Sequence, residues 1–372
     1  MSRPSDIIVI GAGVVGSSIA YELARRGASV EIVDERPVGM GATQASAGVL
    51  APYIEAREGN PLLDLTVRSL AMYDGFVGVV SQDGGVAVPY RRTGTLDVAA
   101  DERELQELRT TAAVLARRGV PALMLDAAAT RSEEPLVADD VIGGLLIEEH
   151  GYVAAPELTR ALVAAARAHG AQLVEQSRVR RIRRRDGDAV VDTDRGTLVS
   201  SAVVLAAGSW SGGVAIDGVE TRVPVKPIRG QLLYLGWHGT VLRRVTWSRA
   251  CYMVPWDDGT VLVGATSEDA GFDERLTVSG VHDLLQAAAE VSPHAWTATF
   301  RGARVGLRPA TTDNLPVIGV SAALPNLVYA TGHYRNGILL APLTAQFVAD
   351  MLLDGRIDPL MAVLSPSRFG NL

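Results

Sequence analysis

The stretch Asp6-Ile7-Ile8-Val9-Ile10-Gly11-Ala12-Gly13-Val14-Val15-Gly16 decides the fold. Residues 6–10 read as a buried parallel strand, and the glycines turn the chain into a helix whose Ile19, Ala20, Leu23 and Ala24 recur at helical spacing. A second strand over 29–33 ends at Asp34, 18 residues past Gly16. Strand, glycines, helix, strand and acid in this register form a complete βαβ unit with a dinucleotide-binding fingerprint. Gly11 allows the tight turn, Gly13 lets the backbone approach a pyrophosphate, and Gly16 lets the helix pack on the strand. The N–H groups of the helix N-terminus, around Val14 and Val15, point at the anion, and Asp34 is placed to accept from ribose hydroxyls.

Working outward, small residues 41–48 (Gly41, Ala42, Thr43, Gln44, Ala45, Ser46, Ala47, Gly48) form a segment that a backbone lays flat against a ring system, ahead of apolar Val49. Amphipathic helices are predicted over 101–119 and 156–170, the latter with Pro156 near its start. Strands follow over 171–175 and 179–182, with Asp186-Gly187 as a turn, and 203–208 is a buried strand ending in glycine that fits beside the first one. The segment 224–264 is strand-rich and dotted with Tyr234, Trp237, Trp247, Tyr252 and Trp256, as in an antiparallel sheet roofing a ligand. The tail carries Gly306-Leu307-Arg308-Pro309 and Gly332-His333-Tyr334-Arg335-Asn336-Gly337, then a helix predicted over 343–353. A nucleotide fold begun at the N-terminus and closed at the C-terminus makes the second domain an insertion. The expected fold is α/β, a Rossmann-like domain over 1–85, 150–220 and 305–372 interleaved with an α+β substrate domain over 86–149 and 221–304.

Composition excludes several function classes. The 372 residues are 48% hydrophobic and 21% charged, the usage of an ordinary globular protein. A net charge of -7 argues against a nucleic-acid partner. The local basic run Arg180, Arg181, Arg183, Arg184 and Arg185 reads as a solvated strand face. The lone cysteine, Cys251, rules out an intrachain disulfide and a multi-cysteine metal cluster, and no metal site is expected. Lys226 is the single lysine, in a Pro-flanked stretch with no sign of a Schiff-base role. No uninterrupted apolar stretch reaches the roughly 20 residues that span a bilayer, so a cytoplasmic enzyme without membrane attachment is the expectation.

These segments together resemble the D-amino-acid oxidase superfamily of flavoproteins, and within it the glycine oxidase branch of the thiamine pathway. The carriers are residues 8–16, the Ala45-Ser46-Ala47-Gly48 loop, Ala206-Ala207-Gly208, Gly306-Leu307-Arg308-Pro309 and, most specific, Gly332-His333-Tyr334-Arg335-Asn336-Gly337-Ile338. The resemblance implies non-covalent FAD. It places Gly11, Gly13, Val14, Val15, Gly16, Asp34, Glu35, Thr43, Gln44, Ala45, Ala47, Gly48, Val49, Val179, Ala207, Gly208, Arg308, His333, Arg335, Asn336, Gly337 and Ile338 at the cofactor. It also implies that Arg308 clamps the substrate carboxylate, that Tyr252 donates its hydroxyl to the same group, and that Arg335 lies beside flavin and substrate. Independently, a guanidinium matches a carboxylate bidentately and a tyrosine adds a neutral donor. The implied reaction is hydride transfer from Cα to flavin N5, hydrolysis of the imine to glyoxylate and an amine, and reduction of oxygen to hydrogen peroxide. The partners are then an amino acid and oxygen, in a monomer or homo-oligomer.

The substrate pocket is assigned to Val49, Ala250, Tyr252, Ser267, Arg308 and Arg335. Glycine oxidases often carry a histidine two places before the tyrosine and an arginine after the Val-Pro pair; this chain has Ala250 and Trp256. Ser267 is smaller than the methionine of some relatives. Ser267 together with Ala250 leaves a roomier site than free glycine fills and makes an N-substituted glycine a candidate. The rival readings are a D-amino-acid dehydrogenase with a quinone acceptor, a nicotinamide dehydrogenase, and a flavin-dependent RNA- or protein-binding module.

Overall fold

Ile7–Ile10 lies inside a six-stranded sheet of order Val317–Val320, Leu327–Thr331, Ala202–Leu205, Ile7–Ile10, Val30–Val33 and Gln172–Val174 in a computed structural model that describes residues 5–54, 59–220 and 222–372. All neighbours run parallel except the first pair. Every residue of Ile7–Ile10 is buried, because both faces of the sheet are covered. Alternation divides the strand between two cores: Ile7 and Val9 join Ile19, Leu23, Leu158 and Phe347 from three helices, while Ile8 and Ile10 join Ile182, Val191 and Val214. That second core lies under a small sheet of Val179–Arg185, Asp188–Thr193, Gly196–Ser200 and Ala215–Ile216. The basic run lies on Val179–Arg185, an inner strand of this small sheet, with Arg181 bound to Asp217 at 2.6 Å and Arg183 to Asp192 at 2.9 Å.

The second large sheet has eight strands, in the order Thr299–Thr311, Val225–Gly236, Thr260–Gly264, Tyr252–Pro255, Val245–Trp247, Thr95–Ala99, Gly143–Ile147 and Leu123–Asp126. It is antiparallel except where Val245–Trp247 meets Thr95–Ala99. Val261 and Val263 point into a core shared with Leu284 and Ala288 of the helix Val278–Val291. Leu262 points the other way, into a cluster with Ala47. One face of the sheet is therefore packed on its own helix and the other faces the segment 41–48. The strand Thr299–Thr311 runs continuously through position 305.

The final helix differs from its predicted span of 343–353. It runs from Gly337 to Asp354 with Pro342 inside it. Proline normally breaks a helix because it removes an N–H and leaves the carbonyl four residues earlier unpaired. Here that carbonyl, of Ile338, accepts a hydrogen bond from the Tyr73 hydroxyl, and the next one, of Leu339, accepts from Ser69 Oγ at 2.6 Å. Both donors come from the helix Leu63–Gly84, so a tertiary contact replaces the local bond. The same helix is long and apolar enough to cross a membrane by composition, but most of it is buried in the core.

Candidate active site

A cleft of about 800 Å³ runs between the two large sheets. One end is made of backbone. Gly13 is the N-cap of the helix Val14–Arg25 and brings no side chain to satisfy its first N–H groups; Val14 N–H donates to Thr43 Oγ1 at 3.1 Å, and Gly11, Gly13, Val14 and Val15 line the cleft. Asp34 accepts from Ala12 N–H at 2.6 Å through one oxygen and from Arg36 N–H at 2.8 Å through the other. Burial raises its pKa against those two bonds. Asp34 thus braces the glycine turn and leaves its remaining lone pairs for a ligand hydroxyl. Gly48 has φ +72° and lies so close to the Val153 carbonyl that a Cβ there would collide with it, which holds the segment flat along the wall.

Four residues outside the predicted set, Arg36, Trp210, Phe272 and Glu274, close this end. The Arg36 guanidinium makes a two-pronged pair with Glu274, both bonds 2.8 Å, and lies 4.2 Å over the Trp210 ring, which is 5.9 Å from Phe272. Trp210, Phe272 and Glu274 all line the cleft. Sequence periodicity gave no signal for them, since each belongs to a loop or short turn joined only by tertiary contact.

The other end is made of side chains. Arg308 and Tyr252 lie on strands three places apart in the sheet, separated by the strands of Gly230 and Gly264. A Cβ on Gly230 would overlap the Arg308 guanidinium, and one on Gly264 would overlap the Tyr252 ring. Each side chain therefore lies across the bare backbone of a neighbouring strand, and the two converge. Arg308 Nη1 donates to Thr266 O at 2.8 Å. Its sequence neighbour Asp313 is taken by Arg368 at 2.8 Å and does not compete for Arg308. Burial raises the Tyr252 pKa against the pull of Arg308, so the hydroxyl is kept as a donor. Trp247 packs on Tyr252 at 4.9 Å between ring centroids.

At the junction of the two ends, the backbone is left-handed at Tyr334, φ +49°, and Arg335 lies 5.1 Å over the Tyr334 ring. Burial opposes ionisation of the Tyr334 hydroxyl, but bonds with Arg335 and Ser267 bring its pKa below the ordinary value. His333 is buried, bonded through Nε2 to Thr344 Oγ1 at 3.0 Å, and burial lowers its pKa to about 4, so the ring is neutral at pH 7.

The family model for FAD-dependent oxidoreductases of the DAO type matches residues 6–351. The chain belongs to that family. It is 36% identical to the bifunctional protein ThiO/ThiG of Nostoc sp. over 98% of its own length, and spans about 55% of that relative. It is 33% identical to the glycine oxidase of Geobacillus kaustophilus over 95% of this chain and 94% of the relative. The crystal structure of the glycine oxidase of that species superposes with a TM-score of 0.94 over 99% of both chains. Iminodiacetate oxidase from Chelativorans sp. BNC1 superposes with a TM-score of 0.88 at 29% identity, covering 97% of this chain and 98% of that one.

As an FAD-dependent oxidoreductase of this family, the chain must hold a long dinucleotide, and the cleft suits one. Its glycine end presents a helix N-terminus whose N-cap, Gly13, has no side chain to keep a pyrophosphate away, Asp34 and Glu35 line the wall at the ribose position, and residues 45–49 border the middle. Of the residues assigned to cofactor and substrate, all line the cleft except Gly16 and Gln44. Gly16 packs on the Gly11 carbonyl, as its assigned role requires. Gln44 turns away and ties this segment to the substrate sheet, its Nε2 donating to Val305 O at 2.5 Å and its own carbonyl accepting from Arg304 at 3.0 Å. Cys251 is buried and its thiol pushed up to about 12, and Lys226 is a surface partner of Asp269 at 2.8 Å.

Proposed function

We propose that the chain is an amino-acid oxidase of glycine oxidase type, which oxidises glycine or an N-substituted glycine to glyoxylate and an amine and delivers the electrons to oxygen. The observation that carries this reading is the convergence of Arg308 and Tyr252 across Gly230 and Gly264 at one end of a dinucleotide cleft. The residues 1–85, 150–220 and 305–372 then serve the cofactor and 86–149 and 221–304 the substrate. Bound FAD supplies the two-electron acceptor for the substrate Cα–H and returns the electrons to oxygen.

The protein's own contribution is placement. The Arg308 fork pairs both carboxylate oxygens, and Tyr252 adds one neutral donor without changing the charge. Thr266 O holds one arm of the guanidinium, so less rotamer freedom is lost on binding. Fixing the carboxylate sets the direction of the Cα–H, and orientation of this kind supplies much of the rate enhancement in such a site. Among the described residues at this end no carboxylate lines the cleft, and the neutral His333 is committed to Thr344. The amine therefore gives up its proton to solvent before the Cα–H is transferred. Ala250 and Ser267, both lining the cleft, leave space beside the amine for an N-substituent.

The test is direct: FAD-loaded protein with glycine, sarcosine and longer N-alkyl glycines should yield glyoxylate and hydrogen peroxide in equal amounts. Glyoxylate without peroxide indicates a quinone-type acceptor. No glyoxylate from any of them removes the proposal.

A further inference from the structure

The rim of the substrate end carries a cation outside the machinery just described. The strands Val245–Trp247 and Tyr252–Pro255 are joined by a tight connection in which Ser248 N–H donates to Cys251 O at 2.8 Å. Ser248 Oγ accepts from Ala250 N–H at 3.3 Å and Cys251 N–H at 3.2 Å, so the tip is pinned from inside. Arg249 and Ala250 are the two central residues. Both are exposed and both line the cleft, and Tyr252 begins the next strand.

Arg249 differs from the other arginines around the cleft. Arg36 is bound to Glu274, Arg178 lies 3.7 Å from Glu35, and Arg308 donates to Thr266 O. Arg249 makes no ion pair or side-chain hydrogen bond among the described residues. The acids that line the cleft, Asp34, Glu35 and Glu274, belong to the dinucleotide end. At the entrance to the substrate end the exposed Arg249 guanidinium thus faces no carboxylate among the described cleft residues. Next to it stands Ala250, whose lack of a side chain beyond Cβ leaves the path between amine and rim open.

We propose that Arg249 is a second carboxylate subsite, and that the preferred substrate class is an imino dicarboxylate, a glycine whose nitrogen carries a carboxyalkyl arm. This rests on the oxidase reading above and names its substrate. Arg308 takes the glycine carboxylate, the secondary amine lies between, and the arm runs past Ala250 to the Arg249 guanidinium. The glycine Cα–H leaves as hydride, the C–N bond becomes C=N, and one water then cleaves it. The products are glyoxylate and the amino acid that retains the arm, with one oxygen reduced to one hydrogen peroxide.

The experiment compares kcat/KM for N-(2-carboxyethyl)glycine and its neutral analogue N-propylglycine in the FAD-loaded enzyme, with glycine as control. The dicarboxylate should be preferred by about 10-fold or more, the effect of one charge-assisted contact. Arg249→Ala should bring the ratio close to 1, chiefly through KM, and Arg249→Glu should reverse it. A ratio near 1 in the parent enzyme overturns the proposal, as does an unchanged ratio in Arg249→Ala. An equal loss on all three substrates also overturns it, because that is general steering and not a subsite. Oxidation of glycine alongside such a result leaves the oxidase reading standing. If no glycine derivative is oxidised at all, titration of the bound flavin spectrum with oxydiacetate and methoxyacetate still decides. Tighter oxydiacetate binding that Arg249→Ala abolishes supports the subsite, and equal binding of the two refutes it.

Discussion

The dinucleotide end of the cleft is built from main-chain N–H groups at 11–15 and flat backbone at 45–49, whereas the substrate end is built from Arg308 and Tyr252 reaching across bare glycine backbone. Glycine serves both ends for different reasons. At Gly48 it lets the chain adopt a left-handed conformation against Val153, and at Gly230 and Gly264 it gives up its own volume so that another residue can occupy it. The first use is local in sequence and forms a motif. The second depends on strand register between segments 78 and 12 residues apart, Arg308 over Gly230 and Tyr252 near Gly264, and forms none.

The comparison predicts that damage at the two ends separates cofactor retention from catalysis. The largest effect is expected for Gly48→Val, where both φ and the Val153 carbonyl forbid a side chain. The protein should elute from gel filtration with little or no bound FAD, measured from the flavin absorbance per chain. Arg308→Ala should keep its FAD and lose roughly 10²–10³-fold in kcat/KM, as for other truncations of one partner in a buried charged pair. If Arg308→Ala instead emerges without FAD, the two ends are not separable.

Tyr252→Phe removes one hydrogen bond to a charged group and should cost roughly 10- to 100-fold in kcat/KM, again with FAD retained. Arg36→Ala opens the clasp over Trp210 and should weaken FAD binding only several-fold, about 1 kcal/mol or less, because an exposed pair and a stacking contact contribute little each. Dialysis against FAD-free buffer followed by flavin fluorescence measures the difference.

Away from the cleft, a separate effect is expected on pH-dependent stability. His150 is buried, accepts from Tyr53 N–H at 3.2 Å and bonds Thr95 Oγ1 at 2.7 Å, and burial lowers its pKa to about 3 from the ordinary 6.5. The unfolded chain takes up a proton below pH 6.5 while the folded one does not until about pH 3. Its contribution is therefore full above 6.5 and is lost on acidification, by up to about 1.4 kcal/mol per pH unit. Urea unfolding of His150→Gln between pH 7 and pH 4.5 should show a shallower acid slope than the parent protein.

What the sequence made legible follows the same division. The βαβ unit, Asp34, the 41–48 segment and the arginine of Gly306-Leu307-Arg308-Pro309 are contiguous strings whose chemistry can be read residue by residue, and each lines the cleft where expected apart from Gly16 and Gln44. The start of the last helix was hidden because Pro342 signals a break, and the bond that compensates for it comes from Tyr73, 265 residues away. The Arg36, Glu274, Trp210 and Phe272 clasp was hidden for a similar reason. Its contacting pairs are 62 to 238 residues apart and carry no periodicity.

The most direct measurement is anaerobic mixing of the yellow, FAD-loaded protein with the preferred glycine derivative, alongside the Arg308→Ala variant. The account predicts that the parent protein bleaches on substrate addition and recovers its colour with oxygen, while the variant, equally yellow at the start, stays yellow on the same timescale. Equal bleaching rates in the two proteins would contradict it.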